Sequence, residues 1–322
     1  MSFIYGPVPS RRLGISLGID VVPSLTCTFD CVYCQLGKTK NKVRDWTDIK
    51  FPSTEKILKN VKHNIEKYST LDFITISGSG EPTLNPDLGE IAERIRALTN
   101  IPLALITNSS LLTYEYVLSN VKKFDIVMPS LDAGDNKTFK TINRPAEGFN
   151  MNEITKAIKR LRQESKGEIW LEVMLIKGRI TNASSESIAN ITKKVSEILP
   201  GMVFLNSPVR PPCESWVKPL TDDEMKKIKL KMEAEISQEV DIEIVPKLSK
   251  SKSQILNNKD LLDEIGRLLS VRPCTLQEIS NITGINVSEV GKYIGRLLDA
   301  GRISKRISNN ETYFLITGGG KK

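Results

Sequence analysis

Three of the five cysteines in this 322-residue chain, Cys27, Cys31 and Cys34, fall within eight residues of one another. The other two, Cys213 and Cys274, stand alone, so the pattern indicates a metal or redox site rather than a disulfide framework. The run Cys27-Thr-Phe-Asp-Cys31-Val-Tyr-Cys34 admits two metal readings. Structural zinc takes four tetrahedral ligands, usually as two separated pairs, and only the distant Cys213, Cys274 or His63 is left to complete a set. An iron–sulfur cluster is bound through thiolates, and three on one tight loop leave one iron open for a cofactor. The spacing favours the cluster. His63 is the single histidine and lies in an amphipathic stretch with Ile57, Leu58, Val61 and Ile65, where it reads as a helix-surface residue. Histidine-based acid–base catalysis and a His-rich metal site are therefore excluded.

The elements that must position these thiols follow a repeating pattern. Near-continuous apolar runs at 16–22, 73–77, 103–108, 125–130, 169–176 and 203–206 predict strands buried on both faces. Helical patterns follow at 54–67, 87–98, 111–119, 151–163, 184–197 and 221–238, with start signals such as Ser53-Thr54-Glu55 and Thr221-Asp222-Asp223. Six βα repeats predict an α/β fold, a partial (βα)6 barrel of TIM type over residues 1–245, with its chemistry at the C-terminal ends of the strands. A polar stretch opening Pro246-Lys-Leu-Ser-Lys reads as a linker over 246–258. Beyond it, helices at 261–269, 275–282 and 287–298 precede two short strands, 302–308 and 312–316, around Asn309-Asn310. That order predicts a C-terminal winged-helix domain over 259–318, with Gly318 to Lys322 as a frayed tail.

The cysteine run resembles the C-x3-C-x2-C signature of the radical S-adenosylmethionine (radical SAM) superfamily, placed as there after the first strand. The resemblance implies that Cys27, Cys31 and Cys34 hold a [4Fe-4S] cluster whose fourth iron binds the amino and carboxylate groups of SAM. It further implies reductive cleavage of SAM to a 5′-deoxyadenosyl radical, with ferredoxin or flavodoxin as electron donor. Tyr33 matches the position of a residue near the adenine. Ser77-Gly-Ser-Gly80-Glu81-Pro82 resembles the superfamily's Gly-Gly-Glu-Pro stretch at the SAM amino group, with Ser79 replacing the first glycine of the pair. Physically, Glu81 can accept hydrogen bonds from an ammonium. Thr107-Asn108-Ser109 resembles a Thr-Asn-Gly turn, and Asn108, Ser130 and Asp132 are candidates for ribose or carboxylate contacts or for helix caps. Pro9-Ser-Arg-Arg-Leu-Gly14 and Gly18-Ile-Asp20 resemble a branch grouped with wyosine-forming tRNA enzymes and methanogenesis-marker proteins. Arg11 and Arg12 then bind an anion or tie the N-terminus to the barrel. Arg210 holds a carboxylate or phosphate at the mouth or forms a structural ion pair.

Composition sets the remaining bounds. Lys and Arg number 46 against 38 Asp and Glu, a formal charge of +8, and 39% of residues are hydrophobic, which excludes a disordered or collagen-like chain. No apolar run approaches the ~18 residues of a membrane span, and the N-terminus lacks a secretory pattern, so the chain reads as cytoplasmic without a membrane partner. Lys38, Lys40, Lys42 and Arg44, with Lys292, Arg296, Arg302, Lys305 and Arg306, offer a basic path for nucleic acid such as tRNA, or an ordinary charged surface. Two alternatives stand beside it: a protein or peptide substrate, and a cluster-containing DNA-binding regulator, which the intact Gly80-Glu81-Pro82 stretch disfavours. Cys213, after Pro211-Pro212, is a candidate catalytic residue or a small packed side chain. Cys274 reads as packing.

Overall fold

A computed structural model describes residues 3–68, 70–247, 261–308 and 310–317. Its strands are β1 (Ile4–Pro9), β2 (Ile15–Ile19), β3 (Thr26–Cys27), β4 (Asn41–Lys42), β5 (Phe73–Ile76), β6 (Leu103–Thr107), β7 (Ile126–Pro129), β8 (Glu168–Met174), β9 (Met202–Asn206), β10 (Asp241–Ile244), β11 (Ile303–Ser308) and β12 (Glu311–Ile316). Its helices are α1 (Thr54–Lys67), α2 (Leu88–Arg96), α3 (Glu115–Val121), α4 (Asn136–Ile142), α5 (Met151–Glu164), α6 (Ser185–Ile198), α7 (Asp222–Glu235), α8 (Leu261–Val271), α9 (Leu276–Thr283) and α10 (Val287–Asp299).

Among the described residues the main sheet runs β1-β2-β5-β6-β7-β8-β9-β10, and every pair after the antiparallel β1–β2 is parallel. The six expected strands are β2 and β5 to β9, and two more extend the sheet. β1 carries Gly6, Pro7 and Pro9 and so looks like a loop in sequence, but an edge strand tolerates proline. β10 is a four-residue Asp-Ile-Glu-Ile alternation that follows α7 closely and is read there as loop. The expected first strand also ends earlier, at Ile19, and α4 appears between β7 and α5.

Helices α1 to α3 and α5 to α7 pack in chain order outside the sheet, and their apolar stripes and the outer strand faces form the principal core. A second apolar cluster fills the barrel interior: Leu13, Ala104, Ile126, Met128, Phe204 and Val245. Leu13 arrives on the β1–β2 turn, which is closed by Ser10 Oγ accepting from the amides of Arg12 (3.2 Å) and Leu13 (3.1 Å). The same turn carries Arg12 to an ion pair with Glu172 on β8.

The segment after the expected linker forms helices α8 to α10 and the antiparallel hairpin β11–β12. Positions 248–258 of the expected linker, 259 and 260 of the expected C-terminal domain, Asn309 of the expected hairpin turn, and 318–322 lie outside the described residues. This C-terminal unit is not independent of the barrel. Its core of Leu261, Ile265, Leu269, Ile279, Ile294 and Phe314 includes Val8 of β1, with Tyr5 packed beside it. Cys274 is buried in that core and pairs with Phe314 through backbone hydrogen bonds, the packing role expected of it.

Glu172 is 8% exposed, and burial alone raises its carboxyl; the Arg12 charge and hydrogen bond, with Asn206, more than offset that and hold it below the usual carboxylate range. Arg12→Ala therefore strands a buried carboxylate. Urea melts at pH 7 should show a loss of about 3–5 kcal/mol. The loss should shrink as pH falls below the unfolded carboxylate value of about 4.3, where protonation removes the charge. A loss that does not vary with pH would contradict the pairing.

Candidate active site

The cysteine loop follows β2 and is held from three sides. Val32 is buried against Ile142, Ile176 and Val217. Its amide donates to the Ile142 carbonyl (2.9 Å), and its carbonyl accepts from the Glu214 amide (3.0 Å). Phe29 stacks edge-on against Phe139 of α4 and Phe149, at centroid distances of 5.3 and 6.1 Å. The chain leaving α4 runs beside the loop, with Asp30 N donating to the Asn143 carbonyl and Ala146 N to the Thr28 carbonyl. The unanticipated short helix is thus the loop's scaffold.

The strand ends are wired to the loop through one buried carboxylate. Glu81 Oε1 accepts from the Thr83 amide (3.0 Å), the Thr83 hydroxyl (2.6 Å) and the Thr107 hydroxyl (2.6 Å). Its Oε2 accepts from the Asn108 amide at 2.7 Å. Asn108 Nδ2 then donates to Thr28 Oγ1 (2.8 Å) and to Cys27 Sγ (3.4 Å). Beneath Glu81, Gly80 lies so close to the loop that a Cβ would stand 2.0 Å from the Thr26 carbonyl oxygen. Asp20 of the Gly18-Ile-Asp20 motif accepts from the Ser79 amide and hydroxyl, at 3.2 and 2.6 Å, which accommodates serine where a glycine was expected. Ser109 adopts a left-handed φ of 72°, the conformation that a glycine in the resembled Thr-Asn-Gly turn supplies without strain.

A cavity of about 520 Å³ opens inside the barrel, lined on this side by Cys27, Cys34, Tyr33, Gly80, Asn108 and Ser130, with an edge of Glu81. The structure thus gathers most of the sequence candidates at the cavity and places the rest beside it. Glu81 accepts four hydrogen bonds, about the capacity of a carboxylate, and so positions Thr107 and Asn108 while keeping an edge in the cavity. Pro82 starts a buried 3-10 turn and does not line the cavity. Asp132 is also outside the lining: Oδ1 accepts from the Met174 amide (2.8 Å), and Oδ2 accepts from Asn143 Nδ2 (2.7 Å) and the Tyr33 hydroxyl. Cys213 is half-buried and likewise outside the lining. Arg210 does not face the mouth alone; it donates to Glu278 (2.8 Å) and to the Pro273 carbonyl (2.9 Å) in the C-terminal unit. Asn143, whose Nδ2 also sits 3.5 Å from Cys31 Sγ, had no motif to announce it.

The thiols are not tuned as nucleophiles. Burial, then the Glu81 carboxylate, pushes Cys27 up to about 12; burial pushes Cys34 to about 11, and Cys31 rises through burial and then Asp132. A reactive cysteine needs the opposite, an electropositive surrounding. A metal centre would supply the missing positive charge, and the donors at sulfur are those a thiolate ligand accepts: Phe29 N and Asn108 at Cys27, Asn143 at Cys31. Among the described residues no three His, Cys, Asp or Glu side chains converge as a single-ion site requires. Three thiols on one loop, with neutral donors at sulfur, fit an iron–sulfur centre.

The Radical SAM superfamily model matches residues 21–180, the part of the chain that carries the cysteine loop, Glu81, Asn108 and Asp132. The cofactors of that class are a [4Fe-4S] cluster and SAM. The chain belongs to the same protein family as the UPF0026 protein of Methanocaldococcus jannaschii, to which it is 33% identical over 98% of its own length and 96% of that protein. It is also 35% identical, over 97% of its length, to a Brachyspira hyodysenteriae protein named GTPase Obg, of which it spans only 45%. Among solved structures, a radical SAM methyltransferase from Sphaerobacter thermophilus superposes with a TM-score of 0.54 at 15% identity, over 71% of this chain and 66% of that one. TYW1 with a lysine-pyruvate adduct bound gives 0.51 at 20% identity, over 69% and 74%. SuiB of Streptococcus suis bound to precursor peptide SuiA gives 0.53 at 15%, over 70% and 48%. These structural likenesses establish the fold. Among the described residues no helix is long and apolar enough to cross a membrane.

Glu81→Gln keeps the shape but replaces acceptor oxygen with a donor amide. Thermal or urea melts should show a loss of about 1–3 kcal/mol, the cost of stranding buried donors. Unchanged stability would contradict the anchoring role.

Proposed function

We propose that this chain is a radical SAM enzyme of the branch grouped with wyosine-forming tRNA enzymes and methanogenesis-marker proteins, and that it modifies nucleic acid, tRNA foremost. In this reading Cys27, Cys31 and Cys34 would hold the cluster, and Tyr33, Gly80, Asn108 and Ser130 would line the SAM pocket. When bound, the pair supplies one-electron cleavage of SAM to a 5′-deoxyadenosyl radical, which removes hydrogen from a substrate C–H bond. The chain's own residues position and shield. Leu13, Ile106 and Met174 line the lumen with apolar surface that keeps water away from the reacting atoms. Electrons would come from ferredoxin or flavodoxin.

The observation that carries the substrate class is the placement of the C-terminal unit, taken here as a winged-helix domain over 259–318 joined through 246–258 to the barrel of 1–245. It closes one wall of the cavity through Val271, Arg272, Glu278, Asn281 and Ile282, and it leaves a polar groove on α10 facing outward. That groove holds exposed Lys292 and Arg296 four residues apart, with Tyr293 between them and 5.8 Å from the Arg296 guanidinium. Arg302 and Lys305, also exposed, lie at and just before the wing. A basic helix face with an aromatic, beside a cavity wall built by the same unit, suits a polyanion whose reacting nucleotide enters the barrel.

Full-length protein in a filter-binding series against total cellular RNA, DNA and protein extract tests this. RNA retention should fall steeply with salt, each phosphate contact adding about 0.7–0.9 to the slope, and Lys292→Glu with Arg296→Glu should abolish it. Flat salt dependence with no effect of the double variant would overturn the nucleic-acid reading in favour of a polypeptide substrate. Preference for DNA would favour the regulator.

A further inference from the structure

The cavity has a second wall whose charge the cysteine side does not explain. It is built from the β1–β2 turn, β8, the chain after β9 and the C-terminal unit. Four guanidiniums line it, those of Arg11, Arg12, Arg210 and Arg272, against two carboxylates, Glu172 and Glu278; Lys247 also lines the cavity but is matched by Asp222 at 2.8 Å, which leaves an excess of two positive charges. Arg12 is matched by Glu172. Arg210 and Arg272 share a single oxygen of Glu278, at 2.8 and 3.4 Å. The Arg272 Nε, buried, has no hydrogen-bond partner among the described residues. Arg11 has no carboxylate partner among the described residues; its contacts are long ones to Asn206 Oδ1 (3.3 Å) and the Pro246 carbonyl (3.5 Å).

Such an arrangement is costly when empty, because burying a cation without a counter-charge is unfavourable. The guanidinium of Arg11 is pushed down to about 10 by burial first and then by Arg12, Arg210 and Arg272, with Glu172 opposing them. At neutral pH it stays charged, so the excess persists. The turn that holds it is rigid, closed by Ser10 and pinned by Leu13 in the barrel interior. A planar guanidinium held in place binds oxyanions through two parallel hydrogen bonds.

We propose that Arg11, with Arg210 and Arg272 beside it, binds a doubly charged anion of the substrate, a phosphate monoester or a pair of carboxylates. This rests on the reading of the cavity as the reaction site. The Arg272 end of this wall meets the cysteine loop, where Gln35 Nε2 donates to the Val271 carbonyl at 3.3 Å, so the carboxylate of SAM is the competing ligand and SAM affinity is measured beside anion binding. The anion anchors one end of the substrate against this wall and leaves its reacting carbon toward the cysteines. The C-terminal unit takes part directly, since it supplies Arg272 and Glu278.

Calorimetric titration and thermal melts of the full-length protein with inorganic phosphate, malonate and acetate, at constant ionic strength set by chloride, test the proposal without any turnover. Phosphate or malonate should bind and raise the melting temperature where acetate and chloride do not; the tighter of the two identifies the anion. Arg11→Gln should weaken that binding about tenfold or more, and Arg272→Gln should weaken it too. Unliganded Arg11→Gln protein should melt no lower than the parent, because losing a half-buried cation crowded by Arg12, Arg210 and Arg272 relieves repulsion. Three results would overturn the proposal: no dianion exceeding chloride, an unliganded Arg11→Gln protein melting several degrees lower, or a parallel loss of SAM affinity in iron-loaded Arg11→Gln protein. None of these outcomes alters RNA retention on α10, so failure here and failure of the nucleic-acid reading are separable.

Discussion

The buried carboxylate of Glu81 is the constraint on which the site depends. Four donors converge on it from the turn after β5 and the end of β6, and one of those donors, the Asn108 amide, belongs to the residue that reaches Cys27. A carboxylate with no solvent must be satisfied by fixed donors, and those donors are then fixed by it. The ends of two parallel strands are thereby set in register with the cysteine loop. Gly80 allows the loop to approach because no Cβ intervenes, and Asp20 closes the same junction through Ser79. On the far side, Asp132 does for Tyr33 and Asn143 what Glu81 does for Asn108. Two acidic residues that resemble ligand contacts in sequence thus act as anchors, each using its charge to order neutral polar groups around the thiols.

The second organising feature is the contact between the barrel and the C-terminal unit. An open sheet with an antiparallel edge strand would leave β1 bare. The C-terminal helices cover it, burying Val8 in their own core. Arg210 then extends from the chain after β9 to Glu278 and the Pro273 carbonyl, and Arg306 donates to the Pro212 carbonyl. The cavity is therefore a product of both parts of the chain. Its cysteine side is assembled from strand ends of the barrel, and its basic side from a turn, a loop and the added unit. The two sides meet where Gln35, next to Cys34, donates to the Val271 carbonyl at 3.3 Å.

Much of this was legible in the sequence. Strands buried on both faces announce themselves as unbroken apolar runs, and six of the seven parallel strands did so. The three cysteines carry their chemistry in their spacing. What escaped depends on chain segments that meet only after folding. β1 was hidden by Gly6, Pro7 and Pro9, whose local preference is for turns, until an edge position and the C-terminal helices gave it a partner. α4 is a single seven-residue element whose value lies in what its end supports. The neighbours of Glu81, Asp132 and Arg210 escaped for a common reason: residue type tells what a side chain can bind, but not which neighbour reaches it first. Arg11 and Arg12 are adjacent and chemically equal, and only the fold gives Arg12 a carboxylate while Arg11 has none among the described residues.

The central claim is that the thiols and strand ends form a working centre for SAM cleavage. The most direct measurement is the yield of 5′-deoxyadenosine from SAM by protein reconstituted anaerobically with iron and sulfide and reduced with dithionite. The account predicts 5′-deoxyadenosine and methionine in equal amounts, and no product from Cys34→Ala protein treated identically. Stoichiometric zinc uptake with no retained iron and no 5′-deoxyadenosine would contradict it.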